Sequence, residues 1–288
     1  MSYTYKYPHP AVAADCVVFG FDGRDLQILL IERRSHPFKG CWAFPGGFMN
    51  IDESAEECAR RELYEETSLK VPVLKQLGAF SAVHRDPRER VISIVFYALG
   101  QPSEVKGGDD ASQARWFPLR EVPQLAFDHD YILRKAMQRL REDIYFEPVG
   151  FELLDREFTM SELQRLYEAI LGVRFDRRNF EKKMLQTGIL QLAEDDDEYE
   201  VLEDVLSMAC EPAPSYDILK SKPCASAKKS FFGSKQEMKT MSIDALFGGA
   251  DTPPEPKPKK AGRKGRKFSF NKEKYEHFKQ NNNFRFEF

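Results

Sequence analysis

The 288-residue chain has little of what a disulfide-stapled, zinc-bound or membrane-spanning protein needs. Its five cysteines, Cys16, Cys41, Cys58, Cys210 and Cys224, are odd in number and scattered without a CxxC pair, so they read as reduced thiols. The five histidines show no zinc-ligand spacing. No apolar run is long enough to cross a membrane, and the start MSYTYKYPHP lacks a signal-peptide core; a cytoplasmic protein without a membrane partner is expected. A surplus of charge of one sign is missing too. With a net charge of −3, any nucleic-acid surface must be local rather than global.

The length allows two domains, and 42% hydrophobic residues can supply real cores. The most informative stretch runs from Gly47 to Leu69, GFMNIDESAEECARRELYEETSL. On a helix spanning Glu53 to Glu66, Ala55, Cys58, Ala59 and Leu63 form one arc, with Glu62 and Glu66 inside it and Glu65 at its edge. Glu56 and Glu57 behave as an ordinary solvated face, each with an arginine four residues later, Arg60 and Arg61. The inward trio has no such partner in the helix, and acids facing the protein body need a compensating cation. Hard oxygens at this spacing suit Mg²⁺ or Mn²⁺ and point to metal-assisted attack of water on phosphorus.

Gly47, Glu53, Arg61, Glu62, Leu63, Glu65, Glu66 and Leu69 also stand in register with the Nudix box, and the segment closely resembles that family. The resemblance implies an α/β sandwich built on a mixed sheet, with Glu62, Glu65 and Glu66 as metal ligands and Glu66 the foremost acid. It also implies that Arg61 orients the carboxylates, that Glu53 anchors the loop opening the box, and that a backbone carbonyl near Gly46 adds a ligand where Gly47 permits close approach. Ser68 departs from the pattern, standing where the family has glycine. A left-handed serine costs on the order of 1 kcal/mol or shifts the cap slightly, which is expected to weaken catalysis without removing a ligand.

Strand-like runs flank the box: Val12 to Phe21 and Leu26 to Glu32, joined by the turn signal Asp22-Gly23, then Leu74 to Ala82 and Val91 to Leu99. A helix near His129 to Glu142 completes an α/β or α+β unit over 1–145. The segments Arg85-Asp86-Pro87-Arg88 and Leu125 to His129 look similar to those of ADP-ribose-type members and their regulator relatives. That likeness implies a nucleoside diphosphate-linked substrate with Arg85 as a binding residue, and Arg33, which follows the second strand run close to the expected cleft, is a second. Asp109 and Asp110 offer a general base, or simply a solvated loop.

Beyond Gly150 the pattern becomes that of a small helical domain. Thr159 and Glu162 form a capping box, Leu163, Leu166, Tyr167 and Ile170 follow at helical spacing, and Gly172 stops the helix. Asp176 can cap a second helix with Phe180 and Met184 inward. Its outward arc, Arg178, Asn179, Lys182 and Gln186, carries residue types that touch phosphates and base edges in a major groove. Ile189 to Leu192 and a returning Lys267 to Phe270 suggest a winged helix over 150–205 and 262–288, the latter including a C-terminal helix or tail. The interruption at 206–261 is rich in Ser, Lys, Pro and Gly and is expected to be disordered. An acidic run, Glu194 to Asp204, and a basic one, Lys257 to Lys267, flank it.

This half resembles the C-terminal domain of Nudix-related transcriptional regulators, which implies operator DNA as a partner and a homodimer. Two readings follow. One is a hydrolase of ADP-ribose or a similar nucleoside diphosphate derivative with an attached winged helix. The other is a regulator whose Nudix half senses an effector. Regulators of this type often lose box carboxylates, and this chain keeps them all.

Overall fold

Strand β1 (Ala11–Phe21) is buried from Ala13 onward, as befits a strand covered on both faces. The computed structural model describes residues 6–105, 107–108, 111–193 and 266–280. Parallel β6 (Val91–Leu99) lies along one edge of β1, from Ala11 against Val91 to Phe19 against Leu99. The other edge is shared: β2 (Leu26–Arg33) pairs antiparallel with Phe19 to Phe21, and the short β4 (Gly46–Phe48) pairs with Ala13 to Asp15. The short β3 (Trp42–Ala43) and β7 (Ala111–Pro118) pair with β2, and β5 (Lys75–Phe80) closes the far edge against β6.

The two-residue period of β1 divides the apolar interior. Ala14, Cys16 and Val18 face helix α1 (Ala55–Thr67) through Cys58, Ala59 and Leu63. Val17, Phe19 and Phe21 face the opposite layer, where helix α2 (His129–Asp143) contributes Ile132, Leu133, Ala136, Met137 and Leu140. The result is the expected sandwich of helices on a mixed sheet. Burial among these side chains pushes the Cys16 thiol up to about 12, so it serves as a small hydrophobe.

Helix α1 begins later than the sequence pattern suggests. Glu53 lies outside it; Ser54 is the N-cap and accepts from the Glu57 N–H at 3.3 Å, while Glu57 Oε2 accepts from the Ser54 N–H at 2.8 Å. Glu57 is thus committed to the cap rather than to Arg61. At the other end Ser68 adopts φ 59°, the left-handed conformation that glycine fills at less cost, and its N–H donates to Tyr64 O.

The second unit shares the α2-side core. A one-turn helix α3 (Gly150–Leu153) precedes β8 (Phe158–Thr159), α4 (Met160–Leu171), α5 (Arg177–Gln186) and β9 (Leu190–Leu192). The chain returns as β10 (Lys267–Phe270), which lies between β8 and β9, and then forms α6 (Lys272–Gln280). The predicted Thr159–Glu162 capping box is present, Gly172 ends α4 with φ 71°, and Asp176 Oδ1 caps α5 by accepting from the Asn179 N–H at 2.9 Å. Two helices with a three-stranded wing make this a winged helix. Leu163, Leu166 and Tyr167 of α4 belong to the same apolar cluster as α2, and Arg141 Nε donates to Ile170 O at 2.9 Å across the junction. The acidic run, nearly all of the basic run and the 206–261 interruption lie outside the described residues, as do Asp109 and Asp110.

Candidate active site and nucleic-acid interface

Pairing of β4 with the first half of β1 straps the Pro-Gly-Gly turn across the inner face of α1, beside Glu62 and Glu66. Cys16 N–H donates to Pro45 O and Met49 N–H to Val12 O, each at 2.9 Å. Neither glycine has room for a side chain. A Cβ on Gly46 would stand 2.4 Å from Asp15 Oδ1, and one on Gly47 would stand 2.3 Å from Glu62 Oε1.

Three carboxylates gather here around one guanidinium. Arg61 donates through Nε and Nη2 to the two oxygens of Glu53 at 2.9 and 2.6 Å, and through Nη1 to Glu62 Oε1 at 2.7 Å and Glu65 Oε2 at 3.0 Å. Its Nη2 also donates to Phe48 O at 3.2 Å. Such a fork is specific to arginine. The expectation that the inward trio lacks a cationic partner within the helix is therefore corrected: with Glu57 engaged in the cap, Arg61 turns inward and bonds Glu62 and Glu65. Glu66 is set apart. It is only 4% exposed, and its Oε2 accepts from the Gly46 N–H at 2.9 Å.

The electrostatics leave negative charge in surplus. Hydrogen bonds from Arg61 and the Asn50 N–H hold the Glu53 carboxyl down at about 2, whereas burial pushes Glu62 above the usual carboxylate range despite Arg61. Among the described residues, no three acidic, histidine or cysteine side chains converge into a ready ligand set. The reason is visible in the bonding: Glu62 and Glu65 point to Arg61, and Glu66 points to an amide. The fit to a divalent cation is chemical instead. Hard carboxylate oxygens, one of them under-compensated in a half-buried position, flank a side-chain-free glycine cradle, which is the donor chemistry a hard cation takes.

A buried polar network beneath this loop escapes the motif. Ser93 Oγ donates to Asp15 Oδ2, and Arg85 closes its fork on Asp128 at 2.7 and 3.1 Å while lying 3.8 Å from Asp15. The expected substrate residue Arg85 is thus buried and engaged with a carboxylate. His129, 3% exposed and stacked on Phe44, accepts the Phe44 N–H at Nδ1 over 3.1 Å. It must be neutral to accept, with its proton on Nε2, 4.0 Å from Asp15 Oδ2. Asp15 and Ser93 do leave a signal in the sequence, because each is a lone polar residue in an apolar strand run.

Burial is the main influence on His129 and lowers its pKa; Asp15 and Asp128 oppose this, whereas Arg85 and Arg33 reinforce it. The folded state therefore favours the neutral ring. Its contribution to stability is complete above the unfolded value of about 6.5 and is lost as pH falls below it. Melting temperatures of the wild type should fall more steeply from pH 7 to 5 than those of His129→Asn, whose side-chain oxygen keeps an acceptor near Nδ1. Parallel curves would remove His129 from this role.

Of the other expected site residues, Arg33 is half-buried at the end of β2, and Glu66 is the carboxylate that most favours its charge. Gly108 packs against the Glu65 carbonyl, where a Cβ would approach to 2.2 Å. On α5, Arg178, Asn179, Lys182 and Gln186 are all exposed, opposite buried Phe180 and Met184.

Comparison with known proteins places this geometry among relatives. Residues 9–140 match the NUDIX domain family, and residues 150–200 match the NrtR DNA-binding winged helix domain. The chain is 33% identical over 190 residues to an ADPR responsive transcriptional repressor NtrR of Acinetobacter baylyi, covering 64% of this chain and 76% of that one. It is 48% identical over 132 residues to an ADP-ribose pyrophosphatase of Methanocaldococcus jannaschii, covering 46% and 76%. Among solved structures, Shewanella oneidensis NrtR complexed with a 27mer DNA aligns with a TM-score of 0.54 and 31% identity, over 63% of this chain and 85% of that chain.

Proposed function

Because the chain belongs to the NUDIX family, in the form that joins a NUDIX domain to an NrtR winged helix, we propose that it hydrolyses a nucleoside diphosphate derivative such as ADP-ribose. Water attacks one phosphorus of the anhydride, the bridging P–O bond breaks, and ADP-ribose yields AMP and ribose 5-phosphate. The observation carrying this reading is the surplus of carboxylates at the Gly46–Gly47 cradle, with Glu66 buried and Arg61 holding Glu62 and Glu65 in place.

NUDIX hydrolases generally depend on a divalent metal. Here Glu62, Glu65, Glu66 and the carbonyl of Gly46 would hold Mg²⁺ or Mn²⁺. When bound, that ion supplies charge neutralisation at the diphosphate and makes water more acidic. Arg61 keeps the carboxylates oriented and Glu53 fixes the preceding loop through Asn50.

A second function in the same molecule is favoured by the exposed polar arc of α5: the winged helix binds operator DNA and the NUDIX half senses its ligand. Two copies in a homodimer match a two-fold operator, and such a protein works in the cytoplasm. Among the described residues, no helix is long and apolar enough to cross a membrane.

The deciding experiment assays ADP-ribose and related nucleoside diphosphate derivatives, with Mg²⁺ and with Mn²⁺, for both AMP release and thermal stabilisation. Turnover is the expected result. Stabilisation without turnover assigns the NUDIX half to sensing alone, and neither response overturns both readings.

A further inference from the structure

Beside the carboxylates stands a second group of residues, which joins the expected substrate residue Arg33 to side chains that no function so far explains. Arg33 and Arg88 share one aromatic ring: their guanidinium carbons lie 4.8 and 5.9 Å from the centroid of Phe127. Arg88 also lies 5.3 Å from the ring of Phe48, the residue that follows Gly47 and whose carbonyl binds Arg61. Asp86, 7% exposed, accepts from Arg88 Nε at 3.1 Å, Nη2 at 2.8 Å and its backbone N–H at 2.9 Å, which fixes the arginine while leaving its side chain 40% exposed. Among the described residues, the side chain of Arg33 makes one hydrogen bond, from Nε to Pro37 O at 3.0 Å; its terminal nitrogens donate to none.

This arrangement is costly as it stands. Two like charges sit on one ring, and burial and the Arg88 charge lower the pKa of Arg33 against the opposing influence of Glu66, Asp86 and Asp15. Phe127 and its edge-on neighbour Phe38, 4.8 Å away, both adopt left-handed backbones, with φ 56° and 62°. Bulky residues rarely hold that conformation, and such strain concentrates where ligands are clamped. A dianion between the arginines would relieve the repulsion and occupy the unused donors.

We propose that Arg33 and Arg88, mounted on Phe127, form a clamp for the substrate's diphosphate, and that Asp86 is the positioning residue that aims Arg88. The clamp rests on the hydrolase or sensor reading above and names the residues by which that site takes a nucleoside diphosphate. It also replaces Arg85, whose fork is closed on Asp128, by Arg88 as the substrate-binding arginine of this loop.

The test uses the full chain and two probes, ADP-ribose and inorganic pyrophosphate, with binding measured by calorimetry and turnover as KM and kcat. Arg88→Gln is expected to weaken ADP-ribose binding and raise KM about 10- to 100-fold, with kcat changed far less. Arg88→Lys should recover only part of this, since the charge returns without the fork. Asp86→Asn should raise KM by a smaller factor, and that effect should vanish in the Arg88→Gln background, as expected of a residue acting through Arg88. Arg33→Gln provides an independent arm.

If wild type binds pyrophosphate but not ADP-ribose, and Arg88→Gln loses pyrophosphate, the clamp stands and the ADP-ribose reading falls. If wild type binds ADP-ribose while Arg88→Gln and Arg33→Gln stay within twofold of it, the clamp is overturned and the function survives. Binding of neither probe by wild type overturns both.

Discussion

Glu66→Gln is expected to lower turnover of ADP-ribose on the order of 10³-fold or more, with a melting temperature equal to or above that of wild type. The substitution changes almost no volume, and glutamine retains a carbonyl oxygen to accept the Gly46 N–H that Glu66 Oε2 now accepts at 2.9 Å. What disappears is a negative charge at a position only 4% exposed. Burying a charge opposes folding, so its loss should not destabilise the domain. A hard cation, by contrast, depends on that charge. Glu65→Gln should have a smaller effect, because its side chain is 39% exposed and it shares Arg61 with Glu62. The measurement is steady-state AMP release alongside thermal unfolding. Near-wild-type turnover by Glu66→Gln would remove Glu66 from the chemistry, and a collapsed melting temperature would assign it a structural role.

The ordering of these acids was largely legible in the sequence, because it follows from helical geometry alone. The wheel put Glu66 and Glu62 inward and Glu65 at the edge, and burial follows that gradient. The parallel fit of β1 with β6 was harder to read, yet the unbroken apolar run from Ala13 to Phe21 marked a strand with both faces covered, apart from Asp15. Local capping chemistry is plain at Thr159 and Glu162, whereas at Ser54 and Glu57 the same pattern lies inside the box, where helical spacing also offers Glu57 to Arg61. The cap takes Glu57 away from Arg61, and that leaves the guanidinium to Glu53, Glu62 and Glu65, in keeping with the orienting role the family resemblance implies for it.

Residues brought together by long loops were beyond reach. Ser93 meets Asp15 from 78 positions away and Arg85 meets Asp128 from 43 away, and nothing in spacing or periodicity encodes such meetings. The same holds for Arg88 and Phe127. A single sequence displays both as loop residues, and only the packed loops put the guanidinium on the ring. The short strands β3 and β4 leave no mark in the sequence for a related reason: two or three residues carry no period, and their pairing with β2 and β1 is what makes them strands.

Replacing Arg178 and Lys182 together with alanine is expected to reduce the slope of log affinity against log salt by about 2 and to weaken DNA binding roughly 10- to 100-fold at low salt. Both side chains are exposed on α5, whereas the helix is held in place from its other side by Phe180, whose ring centroid lies 5.4 Å from Phe175 and 5.8 Å from Tyr167. The variant should therefore keep its melting temperature. With a net charge of −3 the chain as a whole does not attract DNA, so affinity must come from a local face. A duplex selected from random sequence by the wild-type chain supplies the probe, and Lys39→Ala, an exposed lysine in the β2–β3 loop, gives the effect of losing one surface charge, half of what the double variant loses. An Arg178 or Lys182 contact to a base edge would further relax sequence preference, whereas phosphate contacts would weaken all duplexes alike. If the slope and the affinity of the double variant match those of Lys39→Ala, α5 is not the helix that meets DNA. The basic residues around Lys257 to Lys267 would then be the next to test, since they carry the other local surplus of positive charge in the chain.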